Sequence, residues 1–343
     1  MKSILSLLPL AALIVAIDHN GPVAQIPLEP STILEPAKPL KLDHIPLLGY
    51  GTWNLKGENV SEAVSWAIQT GYRHIDGAAI YGNEKEVGKG IDDGLRKANL
   101  SREDIWVTSK LWNDHHGTKA PAKGLEKTLS DLGLEYLDLY HMHWPVSDGK
   151  TGKKIEYKDT WDAMTLLLEE GKVRHIGVSN FSPEQLKDLL NHTSHPPSVH
   201  QFETHPYLQQ VDWLQFHIDN NIHVTAYSPL GGTNPTYSPG DTVPLLSNKV
   251  LKEVGHKHSA TPAQVALAWG MTRGTSVIPK SQHKDRITEN FAALKLRLSE
   301  GEITEITDSL GKEHHRYNNP SGSWKVPLYE GLEDSQGKHH VDE

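Results

Sequence analysis

An acid and a phenol lie five residues apart in the stretch His74 to Glu84, which reads His-Ile-Asp-Gly-Ala-Ala-Ile-Tyr-Gly-Asn-Glu. The apolar residues before Asp76 predict a short buried strand, and Gly77 breaks that pattern. Tyr81 then lies on a loop in front of a helix that is predicted to begin near Glu84. An acid at a strand end and a phenol on the following loop can face one cavity. A single loop tyrosine is more often a packing residue, so this pair needs support from the rest of the chain.

The elements that would position this pair alternate regularly along the chain. Short apolar runs, which predict strands, occupy residues 46–52, 74–77, 105–111, 137–144, 175–179, 198–203, 223–229 and 276–280. Segments with helical period occupy residues 60–70, 84–97, 121–132, 160–170, 183–191, 211–221, 262–273 and 284–294. These eight units, with strands apolar on both faces, predict a parallel sheet that closes into a (β/α)8 barrel. An open doubly wound sheet is the alternative, although no Gly-x-Gly-x-x-Gly follows an early strand.

In such a barrel the functional site lies at the carboxyl ends of the strands. The residues at these predicted ends are largely polar or aromatic: Thr52, Trp53, Asp76, Lys110, Trp112, His143, Trp144, Ser179, Asn180, Gln201, Tyr227, Ser228, Lys280 and Ser281. A barrel without a site would need none of this. Taken singly, however, Asp76 and Lys110 could be an ordinary ion pair at the barrel rim.

A His-x-His pattern on one predicted strand raises a rival hypothesis. The side chains of His141 and His143 would point to the same face of that strand, as in a zinc hydrolase. Zinc would need further histidine or acid ligands from other strand ends. Those positions hold residues that ligate zinc poorly: Lys110, Gln201, Tyr227 and Lys280. No metal site is therefore predicted, and His141 is expected to fill an inner layer of the barrel.

The composition excludes several classes of function. The chain has 343 residues and a net charge of -9, and phosphate backbones call for a basic face, so nucleic acid is not expected as a partner. The absence of cysteine rules out disulfides, thiolate metal sites and cysteine nucleophiles. A soluble, packed core is expected, and the protein is expected to be a monomer.

The N-terminal segment resembles a secretory signal peptide. Lys2 precedes an apolar run from Ile4 to Ile17, which is too short for a stable membrane span of about 20 residues. We predict a signal peptide over residues 1–24, a linker over residues 25–39 and a secreted glycoprotein. The Asn-x-Ser/Thr tripeptides at Asn59, Asn99, Asn180 and Asn191 fit that prediction but arise often by chance. If the segment is not a functional signal, the protein is cytoplasmic.

Several motifs together make the chain similar to the aldo-keto reductases. They are, in chain order, Gly51-Thr52-Trp53, Asp76 to Glu84, Thr108 to Trp112, His143-Trp144-Pro145, Gly177 to Phe181, Tyr227 to Gly231 and Ile278 to Ser281. The resemblance runs from about Leu40 to Lys312. It implies a (β/α)8 TIM barrel over residues 40–312 with an N-terminal β-hairpin cap. The remaining residues, 313–343, would form a C-terminal substrate loop and tail.

The resemblance places the catalytic set on Asp76, Tyr81, Lys110 and His143. A carbonyl that accepts a hydride becomes an alkoxide, so it needs a proton from a nearby acid, here Tyr81. A phenol has a pKa of about 10, and Lys110 nearby is expected to lower it. Asp76 would hold Lys110 charged, and His143 would donate a hydrogen bond to the substrate oxygen. The resemblance thus implies reduction of aldehydes or small sugar-type carbonyls to alcohols.

The resemblance also implies NADP(H) as cofactor, with NAD(H) as an alternative. Tyr227 would stack on the nicotinamide ring, and Lys280 with Arg286 would bind a 2′-phosphate through charge-assisted contacts. The other residues assigned to the cofactor are Thr52, Trp53, Ser179, Asn180, Gln201, Ser228, Leu230, Gly231, Ser281, Glu289 and Asn290. A small carbonyl substrate would be bound by Trp53, Trp112, His143 and Trp144. The alternative function is a non-catalytic sensor or partner protein that binds the nucleotide on the same fold.

Overall fold

A computed structural model describes residues 45–57, 59–147, 155–232 and 242–332. The predicted signal peptide, the linker, the β-hairpin cap before residue 45 and the end of the tail lie outside the described residues. Within the described ranges, no helix is long and apolar enough to cross a membrane.

The strands of the described chain form one parallel sheet in sequence order. They are β1 Tyr50–Gly51, β2 His74–Asp76, β3 Trp106–Leu111, β4 Leu137–Met142, β5 Val173–Ser179, β6 Val199–Glu203, β7 His223–Tyr227 and β8 Ser276–Val277. The sheet closes where Leu48 pairs with Val277 in a parallel bridge. The amide of Gly49 donates to the Val277 carbonyl at 2.9 Å, and the Val277 amide donates to the Leu47 carbonyl at 2.8 Å. The predicted eight-stranded barrel is therefore confirmed.

Helices cover the outer face of the barrel, apart from the short last helix, which belongs to the tail. They are α1 Asn59–Thr70, α2 Glu84–Ala98, α3 Ala120–Leu132, α4 Tyr157–Glu169, α5 Pro183–His192, α6 Val211–Asp219, α7 Lys249–Lys257, α8 Pro262–Thr272, α9 Lys284–Ala292, α10 Glu300–Leu310 and the short α11 Ser321–Trp324. Ser182 and Thr261 cap α5 and α8 through complete capping boxes, as the Ser/Thr-Pro-x-Gln pattern predicts. These caps fix where each of the two helices begins.

The sequence prediction differs from the structure at the ends of the sheet and in the helices outside the eight repeats. The first and last strands are only two residues long, because the chain around them pairs through single bridges rather than a continuous ladder. A side chain at Gly49 would contact the ring of His74 at 2.6 Å, so the chain approaches its neighbour closely there. Helix α10 was not predicted as a separate element, although Ser299 and Glu302 form a capping box at its start.

A buried histidine pair joins β6 to α6. The amide of Phe181 donates to His200 Nε2 at 3.1 Å, so His200 Nδ1–H donates to His217 Nε2 at 2.7 Å. His217 Nδ1–H then donates to the Trp213 carbonyl at 2.6 Å. This chain is satisfied only when both rings are neutral. Burial lowers the pKa of His217 to about 4 and lowers the pKa of His200 well below its ordinary value.

We expect the fold to lose stability as the pH falls from about 6.5 towards 4, because unfolded histidines then bind protons that the folded pair excludes. The free energy of unfolding should fall by roughly 3 kcal/mol through His217 alone, at 1.36 kcal/mol per pKa unit. Urea unfolding at pH 7 and pH 4.5 measures this slope. His217→Gln should flatten it, while the exposed control His192→Gln should not. Equal slopes in wild type and His217→Gln would contradict the assignment.

Candidate active site

The buried ammonium of Lys110 lies at the centre of the polar cluster above the barrel. Its Nζ is 2.5 Å from Asp76 Oδ1, and it donates to the Gly77 carbonyl at 2.8 Å. The Tyr81 hydroxyl is 3.4 Å from the same nitrogen. The Lys110 side chain is fully buried, so its charge requires this paired surrounding. Three residues predicted from the sequence thus share one contact point.

Both oxygens of Asp76 are engaged. Oδ1 pairs with Lys110, and Oδ2 accepts a hydrogen bond of 2.7 Å from Gln201 Nε2 on β6. The hydroxyl of Thr52 donates to the Asp76 carbonyl at 2.9 Å. The carboxylate is therefore fixed in orientation from both sides. Gln201, assigned to the cofactor from the sequence, thus bonds to the acid of the cluster.

The loop that carries Tyr81 is held to the end of β1. The tyrosine closes a short 3₁₀ turn, Ala79–Tyr81, and Gly82 follows in the left-handed region with φ of 66°. The side-chain amide of Asn83 donates to the carbonyls of Thr52 at 3.0 Å and Leu55 at 3.2 Å. These bonds place the phenol over the strand ends before α2 begins.

The pKa of Tyr81 moves in the direction opposite to the one expected from the sequence. Burial first, and then the nearby charge of Asp76, raise it well above 10. The expectation of a lowered pKa is wrong for this structure, because burial and the charge of Asp76 outweigh the nearby ammonium of Lys110. The phenol is consequently protonated at neutral pH, and the ammonium lies 3.4 Å away to stabilise a phenolate when one forms.

His143 follows β4 and lies beside Tyr81. Its ring lies edge-on to the Tyr81 ring with centroids 5.8 Å apart. Burial, together with the charge of Lys110, lowers the pKa of His143 well below 6.5, so the imidazole is neutral. Its Nδ1 has no hydrogen-bond partner among the described residues. A neutral ring can donate one N–H to a substrate oxygen without bringing a second full charge into the cavity.

A second group of predicted residues is joined to His143 through Asn180. The Asn180 amide donates to the His143 carbonyl at 3.1 Å and to the Ser179 hydroxyl at 3.0 Å. The hydroxyl of Tyr227 donates to Asn180 Oδ1 at 2.8 Å. Asn180 is buried, so its glycosylation tripeptide is not accessible in the folded protein, whereas Asn59, Asn99 and Asn191 are exposed. The side chains of Ser179, Asn180 and Tyr227 form the wall on which a planar ring could stack.

The turn after β7 and the segment after β8 complete the rim. Ser228 and Gly231 have φ of 47° and 66°, and the Gly231 amide donates to the Ser228 carbonyl at 2.8 Å. Half-buried Leu230 lies within this turn. Lys280 is half-buried, and burial lowers its pKa. The buried hydroxyl of Ser281 accepts the His283 amide at 3.1 Å.

The first turn of α9 carries Arg286, whose side chain is exposed. Glu289 accepts a hydrogen bond of 2.8 Å from the Thr261 hydroxyl, which ties α9 to α8. Asn290 is buried one residue further on. Arg286 thus presents a charge to solvent in the first turn of α9.

The residues present fit a dinucleotide. Along one rim the chain offers buried amides, an aromatic side chain, a tight turn in the left-handed region and two cations. These suit, in turn, a carboxamide, a planar ring, a pyrophosphate and a further phosphate. The residues that could hold them are Ser179, Asn180, Gln201, Tyr227, Ser228, Gly231, Lys280, Ser281 and Arg286.

Aromatic side chains from the barrel and the tail pack together beside His143. Trp324 of α11 meets Trp144 with ring centroids 4.9 Å apart and Trp112 at 6.0 Å. Tyr329 packs on Trp144 at 6.3 Å. Trp53 follows β1 and is half-buried. The predicted tryptophan wall is thus partly built by the tail.

Two residues of this region were not predicted from the sequence. Glu203 ends β6, where its buried carboxylate accepts two amides of the tail, and Asn318 donates to the Tyr227 hydroxyl at 3.0 Å. Glu203 stands two residues after Gln201 and so faces the same side of the strand. The spacing of two residues from Gln201 was the sequence feature that could have identified Glu203. No sequence feature pointed to Asn318, because the tail has neither a helical nor a strand period.

Comparison with known proteins agrees with this geometry. The sequence profile of the Aldo/keto reductase family matches residues 47–310. The D/L-glyceraldehyde reductase of Hypocrea jecorina is 38% identical over 317 residues, covering 86% of this chain and 94% of the relative. Aldose reductase B of Dictyostelium discoideum is 41% identical over 308 residues, covering 84% and 96%. The aldo-keto reductase of Bombyx mori in complex with NADP is 33% identical with a TM-score of 0.77, covering 83% of this chain and 95% of that structure.

Proposed function

The chain belongs to the aldo/keto reductase family, and we propose that it is an NADP(H)-dependent reductase of aldehydes or small sugar-type carbonyls. The observation that carries this proposal is the position of Lys110 Nζ, 2.5 Å from Asp76 Oδ1 and 3.4 Å from the Tyr81 hydroxyl. An ordinary ion pair would not need a phenol within reach. The acid, the cation and the phenol together provide a proton donor for a developing alkoxide.

The proposed roles follow from the geometry of each side chain. A bound NADPH supplies the hydride. Tyr81, protonated at rest, gives its proton to the substrate oxygen, and Lys110 stabilises the phenolate left behind. Asp76, fixed by Gln201, keeps the ammonium charged and aimed. Neutral His143 orients the carbonyl by donating one hydrogen bond.

The preference for NADP(H) over NAD(H) rests on charge. Lys280 and Arg286 lie at the start of the β8–α9 connection and in the first turn of α9, where a phosphate would also meet the helix N-terminus. The Bombyx mori relative in complex with NADP supports the same choice. NAD(H) carries a 2′-hydroxyl in place of the 2′-phosphate and would not require the two cations Lys280 and Arg286.

We expect purified protein to oxidise NADPH in the presence of an aldehyde such as glyceraldehyde. The measurement is loss of nicotinamide absorbance across a panel of aldehydes, short sugars and flat aromatic carbonyls. Omission of the carbonyl is the control for uncoupled oxidation. Tight NADPH binding with no turnover anywhere in the panel would favour the non-catalytic alternative, and absence of both would reject the proposed function.

A further inference from the structure

The carboxylate of Glu203 fastens the C-terminal tail to the barrel. Oε1 accepts the Tyr317 amide at 2.8 Å and lies 2.8 Å from His205 Nε2, and Oε2 accepts the Asn318 amide at 2.8 Å. The side chains of Glu203 and His205 are fully buried. Burial alone would raise the pKa of Glu203, but the bonds from His205 and the tail, with the charge of Arg316, hold it below its usual range. A buried carboxylate satisfied by backbone amides fixes the path of those amides.

The two residues fixed by Glu203 reach the proposed cofactor site. The Asn318 side-chain amide donates to the Tyr227 hydroxyl at 3.0 Å, and that hydroxyl donates to Asn180 Oδ1 at 2.8 Å. Asn180 in turn donates to the His143 carbonyl at 3.1 Å. One continuous chain of hydrogen bonds therefore leads from the tail to the residue that would orient the substrate.

The neighbouring tail residue lies against the turn assigned to the pyrophosphate. A Cβ built on Gly232 would lie 2.3 Å from the Tyr317 ring, and one built on Gly231 would lie 3.3 Å from it. The tail is held a second time where the Tyr329 hydroxyl donates to the Asn318 carbonyl at 2.9 Å. The segment at residues 317–318 thus touches both the ring wall and the phosphate turn.

We propose that Glu203 is a positioning residue for NADPH, and that it acts through Asn318 to orient Tyr227. The proposal rests on the function proposed above. A tail held at Glu203 keeps the Tyr227 hydroxyl bonded from two sides, so the ring is pre-organised before the nicotinamide arrives. Without the carboxylate, the Asn318 side chain would have to be ordered at the moment of binding, which weakens affinity.

The test compares NADPH affinity, by quenching of protein fluorescence, in Glu203→Gln, Asn318→Ala and the double variant. Glu302→Gln is the matched control, because Glu302 also accepts a backbone amide, from Ser299 at 2.9 Å, and lies 2.9 Å from a histidine, His258. Each single variant should raise the Kd for NADPH about tenfold, the scale of one intramolecular hydrogen bond. The double variant should bind NADPH no more weakly than the weaker-binding single variant, because both changes break the same chain of hydrogen bonds. The control should stay within about twofold of wild type.

Several results would overturn the proposal. Wild-type affinity in Asn318→Ala, which removes no buried charge, would refute it even if Glu203→Gln failed to fold. If the fold-increase in Kd of the double variant equals the product of the two single increases, Glu203 and Asn318 act independently. If the wild type binds and oxidises NADPH but the variants equal the control, this inference fails while the proposed function stands. If the wild type neither binds nor oxidises NADPH, both fail.

Discussion

Tyr81→Phe is expected to lose about 10²–10⁴-fold in kcat for carbonyl reduction, the usual contribution of general acid catalysis. The substitution removes one hydroxyl, 3.4 Å from Lys110 Nζ, and leaves the ring contact with His143 in place. Because the phenol acts on the substrate oxygen, the Kd for NADPH should change little. Steady-state kinetics together with fluorescence titration separate the two effects.

The matched control is Tyr136→Phe. Tyr136 precedes β4 and therefore lies at the opposite end of the barrel, with the guanidinium groups of Arg102 and Arg174 each 4.1 Å from its ring centroid. Loss of that hydroxyl should leave kcat unchanged. A Tyr81→Phe enzyme with near wild-type kcat would show that another group donates the proton.

Arg286→Ala is expected to weaken NADPH binding about ten- to a hundredfold and to leave NADH binding nearly unchanged, since a charge-assisted contact of roughly 1.5–3 kcal/mol is lost only where a 2′-phosphate is present. Arg286 is exposed at the first turn of α9, so added salt should weaken NADPH more than NADH for the same reason. The measurement is the Kd of both nucleotides at low and high salt.

Arg297→Ala controls for loss of an exposed cation, because Arg297 donates to the carbonyls of Leu294 and Leu296 after α9. It should not change the ratio of the two affinities. Equal losses of NADPH and NADH in Arg286→Ala would mean that Arg286 supports the helix or its loop, and the preference for NADP(H) would then depend on Lys280.

The sequence was sufficient for the barrel and for its central cluster because both depend on local patterns. Apolar runs and helical periods repeat with fixed spacing, and strand ends of a closed parallel sheet must meet at one rim. Asp76 and Lys110 each end or nearly end a strand, so their contact at 2.5 Å follows from topology. The resemblance then selected Tyr81 and His143 from among many loop and strand residues.

Other features depend on contacts between distant parts of the chain, which no local pattern encodes. The bond from Gln201 to Asp76 spans 125 residues, and the bond from Tyr317 to Glu203 spans 114. The pKa of Tyr81 was misjudged because the proximity of Lys110 is visible in the motif, whereas the burial of the phenol is not. Tail contacts of this kind need a structure.

Transfer of deuterium from NADPH labelled at C4 of the nicotinamide tests the central claim most directly. The protein is mixed with glyceraldehyde and with NADPH that carries deuterium on one face of the nicotinamide, and a second sample uses NADPH labelled on the other face. The mass of the alcohol product is measured by mass spectrometry. The account predicts that one of the two samples gives an alcohol one mass unit heavier at its former carbonyl carbon, and that Tyr81→Phe gives almost none. Consumption of NADPH without deuterated alcohol, from either label, would contradict it.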